Sequence, residues 1–523
     1  MEPDAPTNGP EPAAPAPELG GRAINAAQWQ TASSLTKAVV QFGITVLLAR
    51  LLSPEDFGLV ALAFIVVGFA QMVVDLGLGP AIVQREELGD RHVRIAFTIS
   101  TLIGLAAALL LAGGAPLFAA LLGNSAVVNV LRAQSLIFLF AGLGATGRAL
   151  LERRLDFRGL FFVDLSSYLL GYAPVATVLA LLDFGVWSLV AASLLQGLIA
   201  AVVSLTLGRH SLRPLLAPAE TRDLLDFGFG VLLNRTVVYA SYNGDNFVVG
   251  RWLGPAALGL YTRAFQLMML PLAHLQAITW NVMFAAYSRL QSDRPRAARA
   301  YLKGVQLNAM VVAPISAGMV MAGPHLVVGL YGAKWIGATY ALQILAAVML
   351  FRAVYGAIGA LTHAFGEVYA EFRRQAVYAV LVIAASVLGS RWGITGVALG
   401  AASAVLYMYV SMARLAMRIT GTRWSDFWAA QLPGILLGAW VAAVAAVVRF
   451  GLEARGAGSG TILATVIVAS LAAVPAGVYL LPARFRPVEL FRSLAPTVSR
   501  LPARVQLPVR LVMRIPEQLH ASP

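Results

Sequence analysis

Long apolar segments recur along most of the chain and are separated by short polar connections. A helix crosses the roughly 30 Å hydrocarbon core of a bilayer with about 20 residues, and most of these segments approach that length. The pattern therefore predicts an all-α polytopic membrane protein. The fourteen predicted spans are roughly 27–51, 58–80, 94–118, 127–147, 160–182, 186–207, 226–249, 256–286, 305–330, 337–361, 375–390, 393–415, 426–448 and 461–481.

The connection after the first span recurs after the seventh. Residues 49–59, the first elbow, align without a gap with residues 250–260, the second elbow. The identical pairs in this alignment are Arg50 and Arg251, Leu52 and Leu253, Pro54 and Pro255, Gly58 and Gly259, and Leu59 and Leu260. Recurrence half a chain later predicts two duplicated six-helix halves, with chance similarity between two loops as the alternative.

Basic residues are distributed unequally between alternate connections, with twenty Lys and Arg in one set and six in the other. The positive-inside rule places the richer set and both termini in the cytoplasm. The two elbows then lie on the same outer side, so the halves are predicted to be parallel repeats. The predicted domains are a disordered tail at 1–26, a first six-helix bundle at 27–208, a second at 223–420, helices 13 and 14 at 425–482, and a basic cytoplasmic tail at 483–523.

Composition narrows the function classes. The chain is 59% hydrophobic and 12% charged with mean hydropathy +0.75, so much of its surface faces lipid. Its net charge of +14 arises from the basic residues in the predicted cytoplasmic connections, so it does not indicate nucleic-acid binding. Cysteine is absent, which excludes disulfides and thiolate ligands. We find neither a phosphate-binding Gly-x-x-x-x-Gly-Lys-Ser/Thr loop nor a His-Glu-x-x-His motif, and we predict no enzyme activity, no metal and no cofactor.

Polar residues follow one face of the first span and of the seventh. Steps of three and four residues place side chains on one side of a helix. The first span carries Gln30, Ser34, Lys37, Gln41 and Thr45, and the seventh carries Asn234, Arg235, Tyr239, Tyr242, Asn243, Asp245 and Asn246. Equivalent polar faces in two halves predict a shared central cavity, and a hydrogen-bonded helix seam is the alternative.

Ionisable groups within other spans extend this prediction. A charge in a membrane helix is costly, and arginine presents a planar fork that suits phosphate oxygens. The predicted substrate-binding residues are Lys37, Gln41, Arg132, Arg235, Tyr239, Tyr242, Asn243, Asn246, Arg263 and Arg352, with Asp75 and Asp245 as coupling-ion sites. As alternatives, Arg132 and Arg263 reach the membrane interface and Arg352 pairs with a carboxylate. Asp164 is interpreted as a charge at the start of the fifth span.

Several motifs resemble a known family. They are Leu51–Leu59, Asp75–Gln84, Asp245–Gly254, Leu258–Ala264 and Leu330–Trp335. Together they resemble Wzx-type polysaccharide flippases of the multidrug/oligosaccharidyl-lipid/polysaccharide exporter superfamily, most closely its colanic-acid and exopolysaccharide branch, over about residues 22–480. The resemblance implies two six-helix bundles around a basic cavity, plus two further helices. It also implies translocation of an undecaprenyl-diphosphate-linked oligosaccharide across the bacterial inner membrane, with a polysaccharide polymerase and export machinery as partners.

Two other functions remain open at this stage. An antiporter for cationic drugs on the same scaffold requires a cavity dominated by carboxylates, whereas the intramembrane charges here are balanced or basic. A membrane-embedded polysaccharide polymerase or lipid-linked glycosyltransferase requires a sizeable outer loop with catalytic residues. The predicted outer connections are nearly all short, which favours the flippase.

Overall fold

The computed structural model of the chain describes residues 36–74, 82, 88–215 and 229–480, and their regular structure is entirely helical. In chain order the helices are α1 (36–51), α2 (Pro54–Val74), α3 (Asp90–Leu122), α4 (Val127–Arg153), α5 (Phe157–Leu181), α6 (Val186–Gly208), α7 (Phe229–Leu253), α8 (Pro255–Ser288), α9 (Arg294–Tyr331), α10 (Ala333–Ala347 and Met349–Ala364), α11 (Val368–Gly389), α12 (Gly393–Thr420), α13 (Trp424–Glu453) and α14 (Ser459–Leu480).

The predicted all-helical membrane fold is confirmed, whereas the number of spans stays a prediction. Among the described residues, nine helices are long and apolar enough to cross a membrane, or up to ten when the two pieces of α10, bent by 48°, count as one span. Helix α7 has 25 residues and is long enough, but its polar side chains lower its mean hydropathy.

The last two helices attach to the second half through α9. Gly434 and Gly438 on α13 face Ala309 and Ala313 on α9, and an ideal Cβ at Gly434 would lie 2.3 Å from the carbonyl carbon of Ala309. Small residues at this spacing let two helix backbones approach closely in a membrane. Helix α14 packs against both α13 and α9.

The two elbows meet each other, which fixes them at the same end of the molecule. An ideal Cβ at Gly58 would lie 1.7 Å from the carbonyl oxygen of Pro255, and one at Gly259 would lie 1.8 Å from that of Pro54. Only glycine permits such an approach between the first turns of α2 and α8. This contact agrees with the expectation that the two elbows lie on the same side of the membrane.

Each elbow arginine reaches the other half of the molecule. Arg50 donates hydrogen bonds from Nε to the Leu330 carbonyl at 2.8 Å and from Nη2 to the Gly329 carbonyl at 2.5 Å, at the C-terminus of α9. Arg251 lies against Gly123 directly after α3, with Nη1 2.5 Å from the position of a Cβ there. Because terminal helix carbonyls lack partners within the helix and carry partial negative charge, a cation stabilises them.

The motif that ends at Trp335 completes the contact with the first elbow. Trp335 is fully buried and donates from Nε1 to the carbonyl of Ala49 at 2.8 Å. Its ring meets that of Phe57 edge to face, with centroids 5.5 Å apart. Lys334 donates to the carbonyl of Arg50 at 2.9 Å. The segment between α9 and α10 therefore joins the second half to the start of α2.

Candidate functional site

A cavity of about 250 Å³ lies between the two halves, next to the elbow contact, and we call it the elbow chamber. Helices α2, α5 and α6 of the first half and α7 and α8 of the second supply its walls. Its lining residues are Phe57, Val60, Ala61, Phe64, Ile65, Tyr172, Leu189, Asn243, Asn246, Thr262, Arg263 and Gln266. Seven of these residues are apolar or aromatic and five are polar, and a concave site that combines both is typical of ligand binding.

Arg263 alone carries a formal charge among these lining residues. Its guanidinium carbon lies 4.3 Å from the centre of the Phe57 ring, which holds it by a cation–π contact. Within the described part of the chain no carboxylate forms an ion pair with Arg263, and its Nε lacks a hydrogen-bond partner. The chamber is therefore positively charged and suited to an anion.

Three carboxamide side chains line the chamber together with this arginine. Asn243 donates from Nδ2 to the carbonyl of Tyr239, one turn earlier in α7, at 3.1 Å. Asn246 is buried, and its side-chain oxygen has no partner among the described residues. Gln266 lies nearly one turn after Arg263 on α8 and is exposed. Amide groups offer both donors and acceptors, so the chamber matches hydroxyl groups as well as anionic oxygens.

Tyr239 connects the halves and does not line the chamber. Its hydroxyl lies 2.8 Å from the Ile65 carbonyl and 3.2 Å from that of Phe64, both on α2. Gly68, also on α2, leaves room for the ring, because an ideal Cβ there would lie 2.7 Å from the Tyr239 hydroxyl. The predicted polar face of α7 thus serves partly as a contact between helices.

Arg352 and Asp245 lie together inside the second half. Arg352 is 5% exposed and lies over the rings of Tyr242 and Phe265, at 4.9 and 5.2 Å. Asp245 is 4% exposed and accepts a hydrogen bond from the Tyr261 hydroxyl at 2.7 Å. The two opposite charges attract each other within this group, although no direct ion pair forms. None of these residues lines the elbow chamber.

We expect Asp245→Asn to destabilise the folded chain by about 1–2 kcal/mol, because the buried Tyr261 hydroxyl then donates to a neutral oxygen and Arg352 loses a nearby negative charge. Tyr261→Phe removes one hydrogen bond and should cost about 1 kcal/mol. Thermal unfolding of the purified proteins in detergent measures both changes. Equal stability of Asp245→Asn and wild type would contradict a structural role and leave Asp245 as a coupling-ion prediction alone.

Lys37 forms an ion pair within the first half. Its Nζ lies 3.0 Å from one carboxylate oxygen of Asp164, and Arg148 Nη1 lies 2.8 Å from the other. The interpretation of Asp164 as a helix-opening charge is wrong, because Asp156 caps α5 by accepting a hydrogen bond from the Gly159 amide at 2.9 Å. Asp164 lies in the third turn of α5.

The other predicted residues that the structure describes do not line the chamber. Gln41 is half-buried one turn after Lys37 on α1, and Arg132 and Arg235 are exposed on α4 and α7. Asp75, Gln30 and Ser34 lie outside the described residues.

Of the predicted binding residues, the structure therefore brings Asn243, Asn246 and Arg263 together in the chamber. Sequence analysis did not identify Phe57, Tyr172 or Gln266, which also line it. Gln266 was detectable in principle, because its three-residue step from Arg263 places both on neighbouring positions of one helix face.

Solved structures with the same fold are membrane transporters. Lipid II flippase MurJ in an inward closed conformation superposes with a TM-score of 0.70 at 14% identity, covering 89% of this chain and 99% of that one. A multidrug resistance transporter of the MATE family of the MOP superfamily, in an inward-facing conformation, gives 0.59 at 17% identity over 74% of this chain and 96% of that one. At these identities the likeness establishes the fold.

Sequence relatives are polysaccharide transport and biosynthesis proteins. The succinoglycan biosynthesis transport protein ExoT of Rhizobium meliloti is 30% identical over 61% of this chain, and the match spans 64% of that relative. The lipopolysaccharide biosynthesis protein WzxC of Escherichia coli is 25% identical over 73% of this chain and 78% of its own length. The family model described as "Polysaccharide biosynthesis protein" matches residues 47–340, from the first elbow to the start of α10. The chain is a multi-pass membrane protein that belongs to this family of polysaccharide biosynthesis proteins.

Proposed function

We propose that the chain is a flippase that moves an undecaprenyl-diphosphate-linked oligosaccharide across the bacterial inner membrane by alternating access, with both termini in the cytoplasm. The named roles of ExoT and WzxC support a part in polysaccharide transport and biosynthesis. The fold shared with lipid II flippase MurJ supports movement of a lipid-linked substrate. A polysaccharide polymerase and export machinery would act on the product.

The unpaired charge of Arg263 is the observation that supports this proposal most directly. A diphosphate carries at least two negative charges, and an unpaired guanidinium in a partly dry chamber provides charge-assisted hydrogen bonds to it. Asn243, Asn246 and Gln266 offer partners to the first sugar. The isoprenoid tail would remain in the bilayer.

The other two functions receive less support from the same site. A cationic drug would find no carboxylate among the described lining residues of the chamber. A polymerase or glycosyltransferase would need a sizeable outer loop, whereas the connections at the elbow end of the described helices have at most five residues. The relatives reported above carry names of transport or biosynthesis proteins, not of catalysts.

Alternating access requires the elbow contact to open. In this structure Gly58 and Gly259 hold the ends of α2 and α8 together, and Arg50 binds the end of α9. The elbow end is thus closed, and we infer that the chamber opens there when the two halves separate. The separation would expose the substrate to the outer side.

Reconstitution tests the proposed function. Proteoliposomes containing the full chain and a lipid-linked oligosaccharide should expose the glycan to a membrane-impermeant lectin on the opposite side, well above protein-free liposomes. Uptake of a cationic dye by the same vesicles should match the protein-free background. Dye transport without glycan translocation would favour the antiporter, and absence of both would contradict a transport function.

A further inference from the structure

A second group of polar and aromatic side chains lies outside the elbow chamber, where α8 meets α10 and α11. Trp280 on α8 is 36% exposed, and the edge of its ring meets His363 on α10, with centroids 5.2 Å apart and the ring planes at 72°. His363 Nε2 lies 3.7 Å from a carboxylate oxygen of Glu371, which is on α11. We call Trp280, Thr362, His363 and Glu371 the tryptophan cluster.

The carboxylate of Glu371 keeps one oxygen free. Thr362 donates its hydroxyl hydrogen bond to Oε2, and His363 faces the same oxygen. Among the described residues no group donates a hydrogen bond to Oε1. That oxygen and the Trp280 ring flank one glycine, because an ideal Cβ at Gly359 would lie 3.3 Å from Oε1 and 2.8 Å from Trp280 Cζ3. The Trp280 ring and the free Glu371 oxygen therefore both pack against the backbone of Gly359.

An exposed face of α8 connects the chamber to the tryptophan cluster. Gln266, Leu270, Ala273, Trp280 and Phe284 are all exposed. Their spacing of three, four or seven residues places them on one side of the helix. Gln266 lines the chamber between the halves, and Trp280 follows it by about 21 Å along the helix at 1.5 Å per residue. The exposed face thus extends from the chamber toward the opposite end of α8.

The two ionisable groups of the cluster lie at the ends of their helices. His363 is in the last turn of α10 and Glu371 is in the first turn of α11, outside the predicted spans 337–361 and 375–390. Glu371 and His363 retain 22% and 37% of their side-chain surface exposed, so a polar ligand on that side of the molecule can reach them. An aromatic ring, a carboxylate and an imidazole are the three groups that the cluster offers to such a ligand.

We propose that the tryptophan cluster is a docking subsite for the glycan part of the substrate, an inference that rests on the proposed function. The hydrogens on one face of a pyranose ring form an apolar surface that stacks on Trp280. The equatorial hydroxyls lie at the ring edge, where one donates to Glu371 Oε1 and another exchanges hydrogen bonds with His363. The cluster therefore binds sugar, while Arg263 in the chamber binds phosphate.

Binding measurements on the full chain in nanodiscs separate these two roles. The probes are an undecaprenyl-diphosphate-linked oligosaccharide and undecaprenyl diphosphate without sugar. Trp280→Leu keeps an apolar side chain but removes the aromatic face, and should weaken binding of the glycosylated probe about tenfold. Its affinity for the sugar-free probe should stay within about twofold of wild type. Trp280→Phe should retain most of the affinity for the glycosylated probe.

Glu371→Gln replaces a charge-assisted hydrogen bond by a neutral one and should produce a smaller selective loss, of about threefold. Trp392→Leu is the matched control, because Trp392 is 73% exposed in the turn between α11 and α12 and contacts none of the cluster. Neither probe should lose affinity in this control.

The possible outcomes distinguish failure of the proposed subsite from failure of the proposed function. Unchanged glycolipid affinity in Trp280→Leu would overturn the subsite and leave the proposed function intact. An equal loss of affinity for both probes in Trp280→Leu would overturn it too. So would displacement of the glycolipid by tetraethylammonium in wild type but not in Trp280→Leu. Failure of wild type to bind either probe would contradict the proposed function, and the subsite with it.

Discussion

Replacing Arg263 with glutamine should slow translocation of a lipid-linked oligosaccharide in proteoliposomes by at least about tenfold. Glutamine keeps hydrogen-bonding capacity but removes the one formal charge in the described lining of the chamber. Hydrogen bonds that involve a charged group contribute about 1.5–3 kcal/mol, which corresponds to a factor of about 10 to 100. Arg263→Lys retains the charge without the planar fork and should be intermediate.

Arg391→Gln is the control for this experiment, because Arg391 is exposed in the turn between α11 and α12 and lies outside the chamber lining. Its translocation rate should equal that of wild type. Equal rates for Arg263→Gln and wild type would contradict a phosphate-binding role for Arg263. A loss of the same size in Arg391→Gln would show that general surface charge, and not the chamber, determines the rate.

Replacing Gly58 with alanine should hold the elbow contact open and reduce translocation at least about tenfold. The new Cβ would lie 1.7 Å from the Pro255 oxygen, whereas unforced contacts between carbon and oxygen lie near 3.3–3.6 Å. The ends of α2 and α8 must therefore separate. A transporter that cannot close one side cannot alternate between its two states, so the cycle stops.

Spin labels measure this separation directly. The chain contains no cysteine, so two cysteines introduced at the exposed positions Glu55 and Ala256 would carry the only spin labels. Gly58→Ala should move the distance distribution between the labels to longer values. Gly113→Ala is the matched control, because an ideal Cβ there has nothing within 4 Å. An unchanged distribution in Gly58→Ala would contradict the proposed closure.

The duplication could be predicted from sequence because it depends on short-range patterns. The alignment of the two elbows paired Gly58 with Gly259 and Pro54 with Pro255, and those four residues form the contact between halves. Helical spacing also predicted that Asn243 and Asn246 lie on a polar face, and both line the chamber. These features repeat locally, so a single chain displays them.

The partner of each buried charge could not be predicted in the same way. Lys37 pairs with Asp164 across 127 residues of sequence, and Arg352 lies among aromatic rings from other helices. Spacing gives the face of a helix but not the neighbour that the face meets. Sequence analysis predicted five cationic binding residues, and among them Arg263 is the one that lines the chamber without an ion pair to a described residue.

The elbow contact also bears on how the chain arose. Gly58 of the first elbow meets Pro255 of the second, and Gly259 of the second meets Pro54 of the first. The two contacts therefore join the same pair of equivalent positions. Reciprocal contacts of this kind are what two identical subunits make across a two-fold axis. A six-helix ancestor with one elbow would have formed the same contact as a homodimer. Gene fusion would then have turned an isologous subunit interface into a gate within one polypeptide, which left the two copies free to diverge.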